Sequence, residues 1–132
     1  MFTAVWNKLY TLVDAITAIT SVYNYGVKSG EGWYPMATIT PSNTKEEVMA
    51  TNSNTIDIAY DISIMVKNAT IATNEASIRS IVDSVMVALR ADYTLTGTAY
   101  NSRFEIERGY SNDEQPIRIA VIKAIYTLCI AI

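Results

Sequence analysis

The chain has 132 residues, 50% hydrophobic and 17% charged, a size and balance suited to one domain with a real core rather than to a disordered chain. Its net charge is −3, from 10 basic and 13 acidic residues, and the Lys and Arg positions are scattered singly, which argues against a tight grip on nucleic-acid phosphates. Histidine is absent and cysteine occurs once, at Cys129, so Ser-His-Asp and Cys-His catalysis, histidine-containing metal sites and an internal disulfide are all excluded.

The N-terminal run MFTAVWNKLYTLVDAITAIT lacks the basic stretch of a signal peptide and carries Lys8 and Asp14. Its Val5, Trp6, Leu9, Leu12, Val13, Ile16 and Ile19 recur at helical spacing and predict an amphipathic helix over 2–21. A short strand near Val22–Tyr25 and a turn through Gly26, Gly30 and Gly32 follow, then a strand over Trp33–Thr40. Residues 41–54, PSNTKEEVMATNSN, are polar and turn-rich and read as a long hairpin loop.

Thr55–Lys67 has the cleanest alternation in the chain. Ile56, Ile58, Tyr60, Ile62, Ile64 and Val66 form one face, and Asp57, Ala59, Asp61, Ser63, Met65 and Lys67 form the other, largely polar one, which predicts a strand with one buried side. A second helix is expected from Thr73 or Asn74 to Arg90, with Ile78, Ile81, Val82, Val85, Met86 and Leu89 as its apolar stripe and Glu75 in its first turn. After the loop Thr94–Gly97, a strand over Tyr100–Tyr110 alternates Phe104 and Ile106 with Arg103, Glu105 and Glu107. The loop at 111–116 precedes a nearly unbroken apolar strand, Ile117 to Ile130, expected to be central and covered on both faces. The C-terminal apolar run is too short for a membrane span and contains Arg118 and Lys123, so no membrane partner is expected. An intracellular, soluble protein or assembly component is the expectation. The fold class is α+β: a five-stranded, mostly antiparallel sheet with two helices packed on one face.

Candidate chemistry is sparse. Glu105 and Glu107 share a strand face about 6.7 Å apart, a spacing open to carboxylate-pair chemistry, but they lie on the polar face where solvated charge is ordinary. Asp57 and Asp61 are about 13 Å apart along their strand, too far to share a proton or metal. Gly30-Glu31-Gly32 lacks the third glycine and the following helix of a dinucleotide fingerprint. Asn68-Ala69-Thr70 matches a glycosylation acceptor without a secretion signal, and Cys129 reads as a small buried hydrophobe. No catalytic, cofactor or metal site emerges, and the protein is expected to be no enzyme. The long strand and long loop instead suggest self-association.

The segments WYPMATITPSNTKEE, TNSNTIDIAYDISIMVK, VMVALRADYTLTG and PIRIAVIKAIYT, placed between and around the two helices, resemble the tail terminator (tail-completion) proteins of long-tailed bacteriophages. The resemblance covers nearly the whole chain, 1–132, as one domain. Its strongest pieces are Tyr34-Pro35 leading to Thr40-Pro41-Ser42, and the helix-end phrase Leu89–Gly97 with Leu95. It implies a non-enzymatic virion protein that forms a six-fold ring on the head-proximal end of the tail tube, with the tail tube protein and the head-connector or head-closure protein as partners. Such a ring stops tube polymerisation and docks to the connector, DNA passing through its lumen without tight binding. The implied location is the virion tail or neck, after assembly in the host cytoplasm. On this reading the polar loop is the subunit or tube interface, through Pro41, Asn43, Lys45, Glu46, Glu47 and Asn52, and Glu105 and Glu107 face the lumen. The alternatives are another neck component (a head-closure or tail tube protein) and a cytoplasmic module binding a peptide or small molecule.

Overall fold

A computed structural model describes residues 2–23, 34–50, 53–67, 71–110 and 117–131. The expected glycine turn, the start of the second strand at Trp33, Asn52, the Asn68 motif and the loop at 111–116 lie outside the described residues. The elements run α1 (Phe2–Asp14), β1 (Ser21–Tyr23), β2 (Met36–Ala50), β3 (Ser53–Lys67), α2 (Ile71–Ala91), β4 (Asn101–Tyr110) and β5 (Ile117–Ala131). The five strands form one mixed sheet in the order β1-β2-β3-β5-β4. Only β1–β2 is parallel; the other pairs are antiparallel. The architecture is α+β, as the alternation of periods predicts.

One face of the sheet carries the core. Even-numbered residues of β3, from Ile56 to Val66, share a buried cluster with Ala120, Ile122, Ala124, Tyr126 and Leu128 of β5. Val5, Leu9 and Val13 of α1 and the expected stripe of α2, Ile78 to Leu89, complete the same cluster. Register explains the fit. Ala120 stands opposite Ile64 and Ala124 opposite Tyr60, while Ile122 faces Ile62. Small residues beside large ones leave room for the helices to seat closely.

Three boundaries differ from the sequence reading. Helix α1 stops at Asp14 instead of continuing to 21, and short turns bonded Ile16 N–H to Val13 O and Ile19 N–H to Ile16 O carry the chain into β1. The Thr- and Ile-rich run after Asp14 is a weak helix former, and β1 gains parallel ladder bonds in exchange. Helix α2 begins at Ile71, two residues before the expected cap, so Glu75 falls outside its first turn. The largest difference concerns residues 41–54, expected as a loop. Strand β2 runs on to Ala50 and β3 begins at Ser53, with register shifts between Pro41 and Thr44 and between Val48 and Ala50. Backbone pairing against the long β3 satisfies this polar stretch regardless of side-chain polarity. Pro41 is tolerated because β1 reaches only Met36–Thr38, and the shift after Pro41 absorbs the missing donor.

Strand β5 lies inside the sheet, as expected, but helices cover one of its faces only. On its odd-numbered face Ile117 and Ile125 are buried, Ile119, Val121, Lys123 and Thr127 are half-buried, and Cys129 is exposed rather than buried. Both helices pack on the even face, so the continuous apolarity of this strand serves two different surroundings. On the odd face, Met36, Met65 and Ile117 form a second small cluster with Tyr23, Tyr34 and Ile119. Tyr34, joined to Pro35 by a cis peptide bond, also receives the Lys67 ammonium 5.9 Å from its ring centre.

Tyr126 is fully buried, edge-on to Phe104 with ring centres 6.1 Å apart. Its hydroxyl has no hydrogen-bond partner among the described residues. Burial first, and the Asp92 charge second, raise its pKa well above the ordinary tyrosine value. The folded pKa therefore exceeds the unfolded value of about 10, so the associated stability is complete below pH ~10 and is lost as pH rises beyond it. Tyr126→Phe is expected to hold neutral-pH stability or raise it by up to about 1–3 kcal/mol, because a buried hydroxyl is removed and no hydrogen bond is lost, and to flatten the alkaline decline. Denaturant titrations at neutral and alkaline pH check this; a neutral-pH loss above about 1 kcal/mol would mean that the hydroxyl is satisfied.

Candidate functional site

The helix-end phrase singled out in the sequence makes a compact corner between α2 and β4. Leu95, Thr96 and Gly97 all adopt left-handed backbone, with φ of 49°, 58° and 82°. For Leu95 and Thr96 this conformation is unfavourable by about 1–2 kcal/mol each. Two features hold it. Asp92 accepts hydrogen bonds from Thr96 N–H (2.7 Å) and Thr96 Oγ1 (3.0 Å), and the Leu95 side chain is fully buried in the core. Ala99 N–H to Thr94 O at 2.8 Å then closes the turn and aims the chain into β4.

Strand β4 is the terminal strand of the sheet, and its outer face carries Arg103, Glu105 and Glu107, all exposed. Glu105 stands opposite Lys123 and Glu107 opposite Val121. Arg103 reaches across to Asp57, with Nη2 3.2 Å from Oδ2, and Thr127 Oγ1 donates to Asp57 Oδ1 at 2.6 Å. Asp57 is thus occupied in holding three strands together. Asp61 is opposite Lys123 in register, and its Oδ1 is buried without a hydrogen-bond partner among the described residues.

The residues assigned to the interface separate from those assigned to the lumen. Pro41, Asn43, Lys45, Glu46 and Glu47 all lie on β2, with Asn43 inside the first register shift. Lys45 pairs with Asp57, Glu46 with Ile56 and Glu47 with Thr55. Beyond Ile56 and Leu128, the last buried side chains described on β3 and β5, these strands and β2 continue together to Ser53, Ala131 and Ala50. That continuation is a three-stranded extension of about 10 Å, at the rise of a strand. Glu105 and Glu107 belong to the opposite edge of the sheet. The ladder that holds the extension was missed in the sequence because polar residues at 41–50 mask it; the length of β3 was the available signal.

Other surfaces offer little chemistry. An open depression of about 410 Å³ is lined by Ala18, Pro35, Ala76, Ser77, Ser80 and Ile81, with no ionisable side chain. Among the described residues no three His, Cys, Asp or Glu side chains come together to hold a metal ion. No described helix is long and apolar enough to cross a membrane.

No protein-family model matches the sequence, and no curated protein matches it. The fold does have a solved counterpart. A chain of the virion of the native gene transfer agent particle superposes with a TM-score of 0.52 at 14% identity, over 96% of this chain and 93% of that one. The likeness runs through nearly the whole length of both chains and shows that they share a fold.

Proposed function

We propose that this chain is a structural protein of a phage-like virion, and within the virion the tail terminator. The observation that carries this reading is the end-to-end likeness to a virion chain, 96% of one and 93% of the other. Residue patterns of the terminator type across the same span support the finer assignment. In this role six copies form a ring on the head-proximal end of the tail tube, stop its polymerisation and dock to the head connector or head-closure protein. The stretch of β2 that carries Pro41, Asn43, Lys45, Glu46 and Glu47 and leads into the sheet extension, with Asn52 following it in the chain, contacts the neighbouring subunit or the tube. Glu105 and Glu107 line the lumen. Assembly takes place in the host cytoplasm, and the protein's final place is the tail or neck.

The test is reconstitution. Polymerising tail tube protein with this chain should give tubes ended by a ring in electron micrographs. Glu46→Lys with Glu47→Lys should abolish capping while leaving the circular dichroism unchanged; normal capping by that variant overturns the assigned interface. Tubes that elongate unchecked in the presence of the wild-type chain overturn the terminator role itself.

The lumen assignment makes a separate prediction. Carboxylate walls repel the duplex over about 8 Å at physiological salt and let it slide without phosphate-bound brakes. Filter binding with duplex DNA at low salt should show no tight complex. Strong binding would favour a DNA-gripping neck component.

A further inference from the structure

The free edge of the sheet has a pattern that goes beyond the ring assignment and does not rest on it. Strand β4 runs ten residues without proline, and among the described residues nothing pairs with its outer edge. Helix α2 lies over β3 and β5, leaving the helix-side face of β4 thinly covered: Ile106 is 43% exposed and Tyr100, at the foot of the strand, 67%. Phe104, between them on the same face, is half-buried. An open, partly apolar edge strand is a template for another strand.

Charged side chains on an edge usually discourage such pairing, but here their order makes the strand complementary to itself. Consider two copies of β4 meeting antiparallel about a two-fold axis through Phe104. Arg103 then faces Glu105 of the second copy, and by symmetry Glu105 faces the second copy's Arg103. Asn101 faces Glu107, Ser102 faces Ile106, and the two Phe104 rings meet on the helix side. Among two-fold registers centred on residues 102 to 106, only this one opposes unlike charges without opposing like ones. Centring on Arg103 or Glu105 sets that residue against itself, centring on Ile106 sets Glu105 against Glu107, and centring on Ser102 leaves the charges unmatched. Opposite charges directly across an antiparallel pair stabilise it and like charges destabilise it, so the charges select the register. Arg103 has donors enough to keep Asp57 while serving a second carboxylate.

We infer that two copies of this chain associate through β4, antiparallel and centred on Phe104, joining their sheets across the edge. The contact is isologous and closes on itself, so it gives a dimer and not a filament. It engages the same Glu105 that the ring reading turns toward the lumen, so the two arrangements are read out separately.

Sedimentation velocity across a concentration series reads the association directly, with circular dichroism confirming that each variant is folded. The wild-type chain should show a concentration-dependent dimer. Arg103→Glu and Glu105→Arg should each weaken it by roughly tenfold or more, since two pairs of up to about fivefold each become repulsive. An equimolar mixture of the two variants should dimerise again. In the mixed dimer the new carboxylate of one variant faces the new guanidinium of the other, and the remaining native Glu105 and Arg103 face each other as before. A monomeric wild type at every concentration, an undiminished dimer in Glu105→Arg, or a mixture no more dimeric than its components would each overturn the inference. Tube capping by the same variants is scored separately, so loss of the dimer with capping intact refutes nothing about the ring, and the converse also holds.

Discussion

Replacing Ile62 by Ala is expected to lower the free energy of unfolding by about 2–5 kcal/mol. Ile62 is fully buried at the middle of β3, between Ile39 of β2 and Ile122 of β5 in register, and belongs to the core cluster with Val82 and Val85 of α2. Truncation removes apolar surface from that cluster and leaves a cavity that a sheet bonded on both sides cannot close by shifting. Denaturant titration with an unchanged slope measures the loss. Ser63→Ala, one residue along and on the opposite face, provides the contrast and should stay within about 0.5 kcal/mol. A loss at Ile62 as small as that would invert the assignment of the two sheet faces.

Glu75→Ala is expected to cost about 1–3 kcal/mol, the range for a buried polar group that loses its partner. Arg118 lies on the helix side of β5 with only 10% of its side chain exposed, and its Nε is 2.9 Å from Glu75 Oε1. Removing the carboxylate leaves a desolvated guanidinium without that neighbour, whereas removing both partners does not. Glu75→Ala combined with Arg118→Met should therefore be more stable than Glu75→Ala alone. A double variant that loses the sum of both single effects would show that the two residues act independently. The pair also ties the first half of α2 to the start of β5, two elements far apart in the chain.

The element order, the α+β class and the core were determined by the sequence alone, because hydrophobic period is a local property. The alternation of Ile56 to Val66 and the stripe from Ile78 to Leu89 each name their own buried face, and the structure buries both in one cluster. Absence of histidine excluded histidine-based catalysis and histidine-containing metal sites. The loop at Thr94–Gly97 was legible in the sequence, though the left-handed backbone of Leu95 and Thr96 was not.

Tertiary structure decided the rest. Residues 41–50 form a strand because β3 is long enough to pair with them; no pattern within the segment itself calls for one. Residues 16–20 left the helix once β1 had a partner in β2. Cys129 is exposed and much of the odd face of β5 only half-buried because both helices settled on the other side of the sheet, and an apolar strand cannot specify which neighbours cover it. The candidate surfaces divide the same way. Exposed charge at Glu105 and Glu107 could be read from alternation, but β4 became a sheet edge only through the strand order β1-β2-β3-β5-β4. Strand order depends on which long-range pairings bury the most apolar surface together, and that sum is not contained in any one segment.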